Sequence, residues 1–369
     1  MVFSKNSKSP FSGKEETKRV YKLLPETYSF QSDLKTKNKT LTSSMVLVDE
    51  QDIINTYSEA EQLSCKKYAE YKKLIQENPS FGYKRCAKLL GIPQGRTRWW
   101  HTKGKKKAVP LALKTVKKLK EANLIPFTQE HRHAATIFNI LGTLFGDGDI
   151  DIRLNTIAFI SADKSDVDLW ESDLVKAFPF AQNKMNLIEG GEWGHSYNMR
   201  SFDRALIRFF VALGAPVGDK IITKYSLPPW IEEIKPVFRK CFLDGVVSSE
   251  VSVPKFVKTR YYTDYFKNFS LSLSKSLDLE ESHKDFMFSL RKQFGGLGIK
   301  CTSNLRKDIY RKGPRKDGHH SNGYRMFFTI SIANVLRFHK MFPLRYCFGK
   351  KEKFDKEVEK AQTANPTLK

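Results

Sequence analysis

Between Asp166 and Phe178 the apolar residues Val167, Trp170, Leu174 and Phe178 recur three or four positions apart, which predicts an amphipathic helix. Just before it, residues 156–161 (TIAFIS) predict a strand. A further strand is expected over 196–200 and a further helix over 204–213. The same succession returns later in the chain. Residues 269–274 (FSLSLS) alternate apolar and polar with period two, as a strand with one buried face does. Helices are then predicted over 281–294 and 333–341, with a strand over 325–332 between them. SADKS at 161–165 and LSKS at 273–276 fall at equivalent places, as do LIRFF at 206–210 and VLRFH at 335–339. The chain from 134 onward therefore reads as a duplication.

Residues 1–48 are rich in Lys, Ser and Thr with few clustered apolars, and read as a disordered basic tail. From 49 to 128 the pattern is helical throughout. One helix stops at Pro79, and a second, 82–92, ends at Gly91. After the turn at 93–95 a third carries Arg96, Arg98, Trp99 and Trp100. Helix, glycine turn and a basic second helix resemble the helix-turn-helix of DNA-binding domains. Ala87, Leu90, Ile92 and one tryptophan are expected to form its small core, with Arg96, Arg98 and Lys103 facing a groove or its phosphates. Residues 103–107 (KGKKK), including Lys106, suit phosphate contacts rather than base reading.

Each repeated half opens on a glycine-and-acid segment: residues 140–148 are ILGTLFGDG and residues 238–247 are FRKCFLDGVV. Gly142 and Gly146, four apart, leave one helix face flat, so a second helix can approach closely. Asp147 then stands at the helix end, where Gly148 terminates it. These residues resemble the LAGLIDADG homing endonucleases over about 134–350. Residues 209–220 (FFVALGAPVGDK) and 227–231 (LPPWI) look like the segment closing the first half in archaeal-type members.

The resemblance implies an α+β fold: two αββαββα halves forming a pseudo-twofold saddle over a duplex, preceded by the small all-α domain. Its expected boundaries are a tail at 1–48, the helix-turn-helix domain at 49–128, repeats at 134–232 and 233–352, and a C-terminal tail at 353–369. Gly142, Gly146 and Gly245 would line the helix interface. Asp147 would hold Mg2+ or Mn2+, and Lys220, with Lys350 or Lys351 in the second half, would stand near the scissile phosphate. In the second motif the tip acid aligns with Val246. Asp244 would point about 200° away on a helix, and Glu250 would reach the tip only if the helix ended early. Lys255, Lys258 and Arg260, and a basic loop with Arg306, Lys307, Arg311 and Arg315, are expected to flank the second DNA-facing sheet.

Composition narrows the partner. A formal charge of +24 on 369 residues, with a pI near 9.7, favours a polyanion, and nucleic acid first. No apolar run is long enough to span a bilayer, and residues 1–18 lack the apolar centre of a signal peptide. Five scattered cysteines, none in a Cys-x-x-Cys pair, point to a reducing, intracellular compartment without structural zinc. The expectation is a cytoplasmic, monomeric, magnesium-dependent double-stranded DNA endonuclease. Without the second acid it would be slowed or would nick one strand. A DNA-binding regulator that has lost cleavage and an RNA-binding maturase stay open beside it.

Overall fold

Asp49 starts the first helix by closing a capping box. Its carboxylate accepts from the Asp52 amide and its own amide donates to the Asp52 carboxylate, both at 2.9 Å. The structure, a computed structural model, describes residues 45–102, 108–191, 194–260, 263–308 and 318–366. After strand β1 (Val46–Val48) come helices α1 (Glu50–Asn55), α2 (Glu59–Glu77), α3 (Tyr83–Leu90), α4 (Gln94–His101) and α5 (Leu111–Glu121). Gly91 ends α3 in the left-handed region (φ 59°), where a glycine carries no Cβ penalty. Tyr68, Tyr71, Cys86, Ile92 and Trp100 form a small core of their own between α2, α3 and α4. Trp100 is the tryptophan inside, whereas Trp99 is 57% exposed.

The rest of this segment is not a separate domain. β1 pairs with β2 (Phe127–Thr128), and α1 and α5 bury Ile53, Ala112, Val116 and Leu119 in the large core that also holds the first repeat. Strand β1 thus takes up 46–48, residues expected to belong to the tail. Residues 1–44 lie outside the described part. The Arg208 guanidinium stacks 4.0 Å over the Tyr57 ring and donates to the Thr56 carbonyl, and Lys118 donates to the Asp203 carboxylate at 2.5 Å. These contacts fasten the helical segment to the first half.

The first half runs α6 (Ala134–Phe145), β3 (Gly148–Ile150), β4 (Ile157–Ser161), α7 (Lys164–Ala177), β5 (Met185–Gly191), β6 (Gly194–Ser201) and α8 (Arg204–Ala212). Its antiparallel sheet has the order β3-β4-β6-β5. The second half runs α9 (Pro236–Glu250), a ribbon of β7 (Lys255–Val257) and β8 (Tyr265–Lys267), β9 (Ser270–Ser276), α10 (Glu280–Gly296), β10 (Cys301–Asp308), β11 (Ser321–Phe328) and α11 (Ile332–Met341). Its sheet has the order β9-β11-β10, and Val251 bridges Leu271 on the open side of β9. That bridge stands where Gly148 pairs with Phe159 in the first half, so both sheets share one topology.

Four expectations change. The strand forecast over 325–332 stops at Phe328, because Ile332 already begins α11. Arg306 and Lys307 lie on β10 instead of in a loop. Lys255 lies on the separate β7–β8 ribbon, which packs against α12 (Phe348–Ala364), not on the edge of the main sheet. And 353–364 is no tail: α12 buries Phe354, Val358 and Ala361.

The two halves meet where α6 crosses α9. A Cβ on Gly142 would fall 2.0 Å from the Phe242 carbonyl oxygen, and one on Gly245 would fall 2.1 Å from that of Asn139. Backbone thus lies directly on backbone, which no side chain larger than hydrogen permits. One turn on, Gly146 faces Ser249. Phe145 wedges between the halves, edge-on to Phe242 at 5.3 Å and stacked on Phe286 of α10 at 6.0 Å. Gly142→Ala is expected to lower stability by about 1–3 kcal/mol or more through overpacking. Gly95→Ala, with open space around its new Cβ, should leave the melting temperature unchanged or slightly raised. Equal melting curves for Gly142→Ala and wild type would contradict the crossing.

Candidate active site at the paired helix ends

Asp147 follows Gly146, the residue that caps α6, and Glu250 is the last residue of α9. Each lies five residues beyond the crossing glycine of its own helix, so pairing Gly142 with Gly245 brings both acids to one end of the helix pair. This register corrects the expectation that Val246 takes the second tip. Val246 is fully buried in the core, and matching Asp147 to it shifts the helices by one turn. The signal was present in the chain: Gly142, Gly146 and Asp147 have the same spacing as Gly245, Ser249 and Glu250, with a small residue four on and an acid next.

Asp244 is corrected as well. It is 1% exposed and accepts from Asn139 Nδ2 (2.9 Å), from the Leu344 amide (2.9 Å) and from the Arg345 amide (3.3 Å). With its oxygens turned to these donors it fastens the chain between α11 and α12 and does not face the tips.

Two lysines complete the site. Lys220 donates its ammonium to the carbonyls of Leu144 (3.3 Å), Gly146 and Gly148 (2.5 Å), capping the end of α6. Lys350 donates to the carbonyls of Ser248 (3.1 Å) and Ser249, capping the end of α9. The two stand in equivalent places, so Lys350 is the partner of Lys220. Lys351 instead pairs with Asp355 at 2.5 Å.

Each lysine arrives on a strap that crosses to the opposite half. The strap after α8 carries Lys220 and is bonded to β9, through Ser276 N to Ile221 O at 2.8 Å and through Lys275. The strap after α11 carries Lys350 and is bonded to α7. Asp173 takes Arg345 at 2.6 and 2.9 Å and the Tyr346 hydroxyl at 2.8 Å, while Asp166 takes the Phe348 amide at 2.8 Å. The sequence reading did not single out Glu250's register, Lys275, Asp166 or Asp173.

Charge at the tips is finely opposed. Asp147 is open to solvent on one side and enclosed on the others; that enclosure raises its pKa, against the pull of Lys350 and Lys220. Glu250 is pushed up to about 7, first by burial and then by the charge of Asp147. Asp149 on β3 is raised by burial, and the enclosed Lys220 ammonium is lowered by it. Two carboxylates that disfavour each other's charge, one reachable from solvent, fit a hard divalent cation such as magnesium or manganese. Among the described residues no group of three or more His, Cys, Asp or Glu side chains forms a metal cluster. Asp147 and Glu250 would hold the ion, leaving its other positions to water and phosphate oxygens.

Among the residues expected to touch DNA, Arg96 and Arg98 are exposed on α4, and Lys255, Lys258 and Arg260 are exposed on or beyond β7. Lys103, Lys106, Arg311 and Arg315 lie outside the described residues. Among those described, no helix is long and apolar enough to cross a membrane.

No protein-family profile matches the sequence. The chain is similar to tRNA-splicing ligase RtcB of Pyrococcus furiosus, 29% identical over 198 residues, which is 51% of this chain and 20% of that protein. It is also similar to the replication factor C small subunit of Methanocaldococcus jannaschii, 25% identical over 156 residues, 40% of this chain and 8% of that one. The chain thus spans about a fifth or less of the length of these relatives. Among solved structures, I-DmoI in complex with DNA and Mn aligns with a TM-score of 0.36 and 12% identity, covering 57% of this chain and 97% of that one.

Glu250→Gln removes a carboxyl whose folded pKa stands above its usual 4.5. Between about 4.5 and about 7 the native state keeps a proton that the unfolded chain has released, so the wild type loses stability as pH rises through that window. The variant's melting temperature is therefore expected to gain on the wild type from pH 4.5 to 7, and then to run parallel. Millimolar magnesium should narrow the gap. A gap that does not vary with pH would count against a shared acid site.

Proposed function

We propose that this chain is a divalent-metal-dependent endonuclease of the LAGLIDADG type that cuts double-stranded DNA with one acid from each half. The observation that carries this reading is the equivalence of Asp147 and Glu250, each five residues beyond a crossing glycine and each beside a lysine-capped helix end. Two such ends, related by the internal repeat, match the two strands of a duplex, whose backbones are themselves related by twofold symmetry. One chain supplies both, so a monomer suffices.

A bound cation would supply Lewis-acid stabilisation of phosphate oxygens and an activated water. The chain's own residues do the rest. Asp147 and Glu250 provide the negative charge that holds the ion, and Lys220 and Lys350 add fixed positive charge at each helix end, against which phosphate negative charge is favoured. Residues 79–120 contain no acid and thirteen Lys or Arg, and helix α4 presents Arg96 and Arg98 to solvent. This segment suits phosphate contacts beyond the cut site.

The two relatives differ in activity, so neither fixes the substrate. One is a ligase and the other a replication factor subunit, and in both the similar part is a minor share of the chain.

Incubation with a plasmid library of random inserts in magnesium, manganese or EDTA, followed by sequencing of cut ends, tests the reading. Double-strand cuts at a recurring site are expected with metal and none with EDTA. Asp147→Asn and Glu250→Gln should each abolish linear product while gel-shift binding persists. Salt-sensitive duplex binding without breaks under any metal would leave a DNA-binding regulator instead, and preference for structured RNA over duplex would overturn the substrate.

A further inference from the structure

We propose that Lys275 is a positioning residue for Lys220, which sets the first helix end independently of the second; the inference rests on the endonuclease reading. Lys275 is fully buried although it is a cation on a strand. It shares a face of β9 with Leu271 and Leu273, so its stem enters the core and its ammonium emerges beneath the strap after α8. There it donates to the carbonyls of Lys220 and Thr223 and lies 3.5 Å over the Tyr225 ring. The neighbouring Ser276 amide takes the Ile221 carbonyl. Three strap carbonyls around Lys220 are thus held by two adjacent residues of the opposite half. Tyr225 in turn packs edge-on to Phe145 and Phe286, the rings at the helix crossing.

The second strap is fastened by different chemistry. Asp166, Asp173 and Asp244 hold it, through carboxylates where the first strap is held by an ammonium. The two lysines of the site therefore depend on two non-overlapping sets of contacts. Loosening one set displaces one lysine and leaves the other in register. Since each helix end would serve one DNA strand, the consequence is strand-specific.

Lys275→Met keeps most of the buried stem and removes every donor; Lys275→Arg keeps donors. On a supercoiled plasmid carrying the cut site, the Met variant is expected to accumulate nicked circles with the same strand intact throughout. That strand should be cut more slowly on the order of 10²-fold, the effect of displacing a positioned group by about 1 Å. Duplex affinity should stay at the wild-type value, and the Arg variant should recover part of the second cut. Asp173→Asn should slow the other strand. Equal slowing of both strands, or no slowing, overturns the proposal.

Hydrogen exchange on the full chain decides the structural half whatever the catalytic outcome. Faster exchange over 218–226 in Lys275→Met, with 343–350 unchanged, supports it. Unchanged exchange over 218–226, or acceleration in both straps, overturns it. If the wild type cuts no duplex under any metal, the endonuclease reading falls while exchange still answers for Lys275.

Discussion

The contact of backbone on backbone between α6 and α9 is the constraint from which the rest follows. Gly142 and Gly245 admit no side chain, so the helices have one register in which they can touch. That register fixes which residues reach the far end together, and the answer is Asp147 and Glu250. It also places the two sheets, since β3 and the Val251 bridge each begin directly after a helix tip. A shift of one turn would part Glu250 from Asp147 and drive backbone into Cβ atoms.

Around that crossing the halves exchange arms. Each strap leaves its own half, is fastened to the other, and delivers a lysine to a helix end. The carbonyls that a helix leaves without partners at its C-terminus are thereby satisfied by ammonium groups. The same two cations temper a pair of carboxylates that would otherwise repel, so one set of contacts serves both the folding of the helix ends and the charge balance of the site. Buried acids whose fastening role is met in full, Asp166, Asp173 and Asp244, are set apart from the acids at the tips by their donors: amide, hydroxyl and guanidinium groups face the former.

Much of the fold could be read in the chain because it is written in local periods. The helix read at 166–178, the alternating strand at 269–274 and the glycine pair at 142 and 146 all report their faces within a few residues. What escaped reading was set through space. The second acid was sought by aligning Asp244-Gly245 with the first motif, whereas the crossing aligns Gly245 with Gly142. Only packing chooses between those registers. β10 was missed because its exposed residues lack the alternation of a half-buried strand. Lys275 did carry a signal: it keeps the period of Leu271 and Leu273. Burial of an ammonium makes sense, however, only once carbonyl partners from a distant segment are known.

The most direct test is the position of a metal. Crystals of the full chain grown with Mn2+ and measured at the manganese edge would show an anomalous peak at the paired helix ends. The ion should lie about 2.0–2.2 Å from one carboxylate oxygen each of Asp147 and Glu250, the reach of a hard octahedral cation. A peak bound elsewhere, or Asp147 and Glu250 turned away from a common point with no ion between them, would contradict the account.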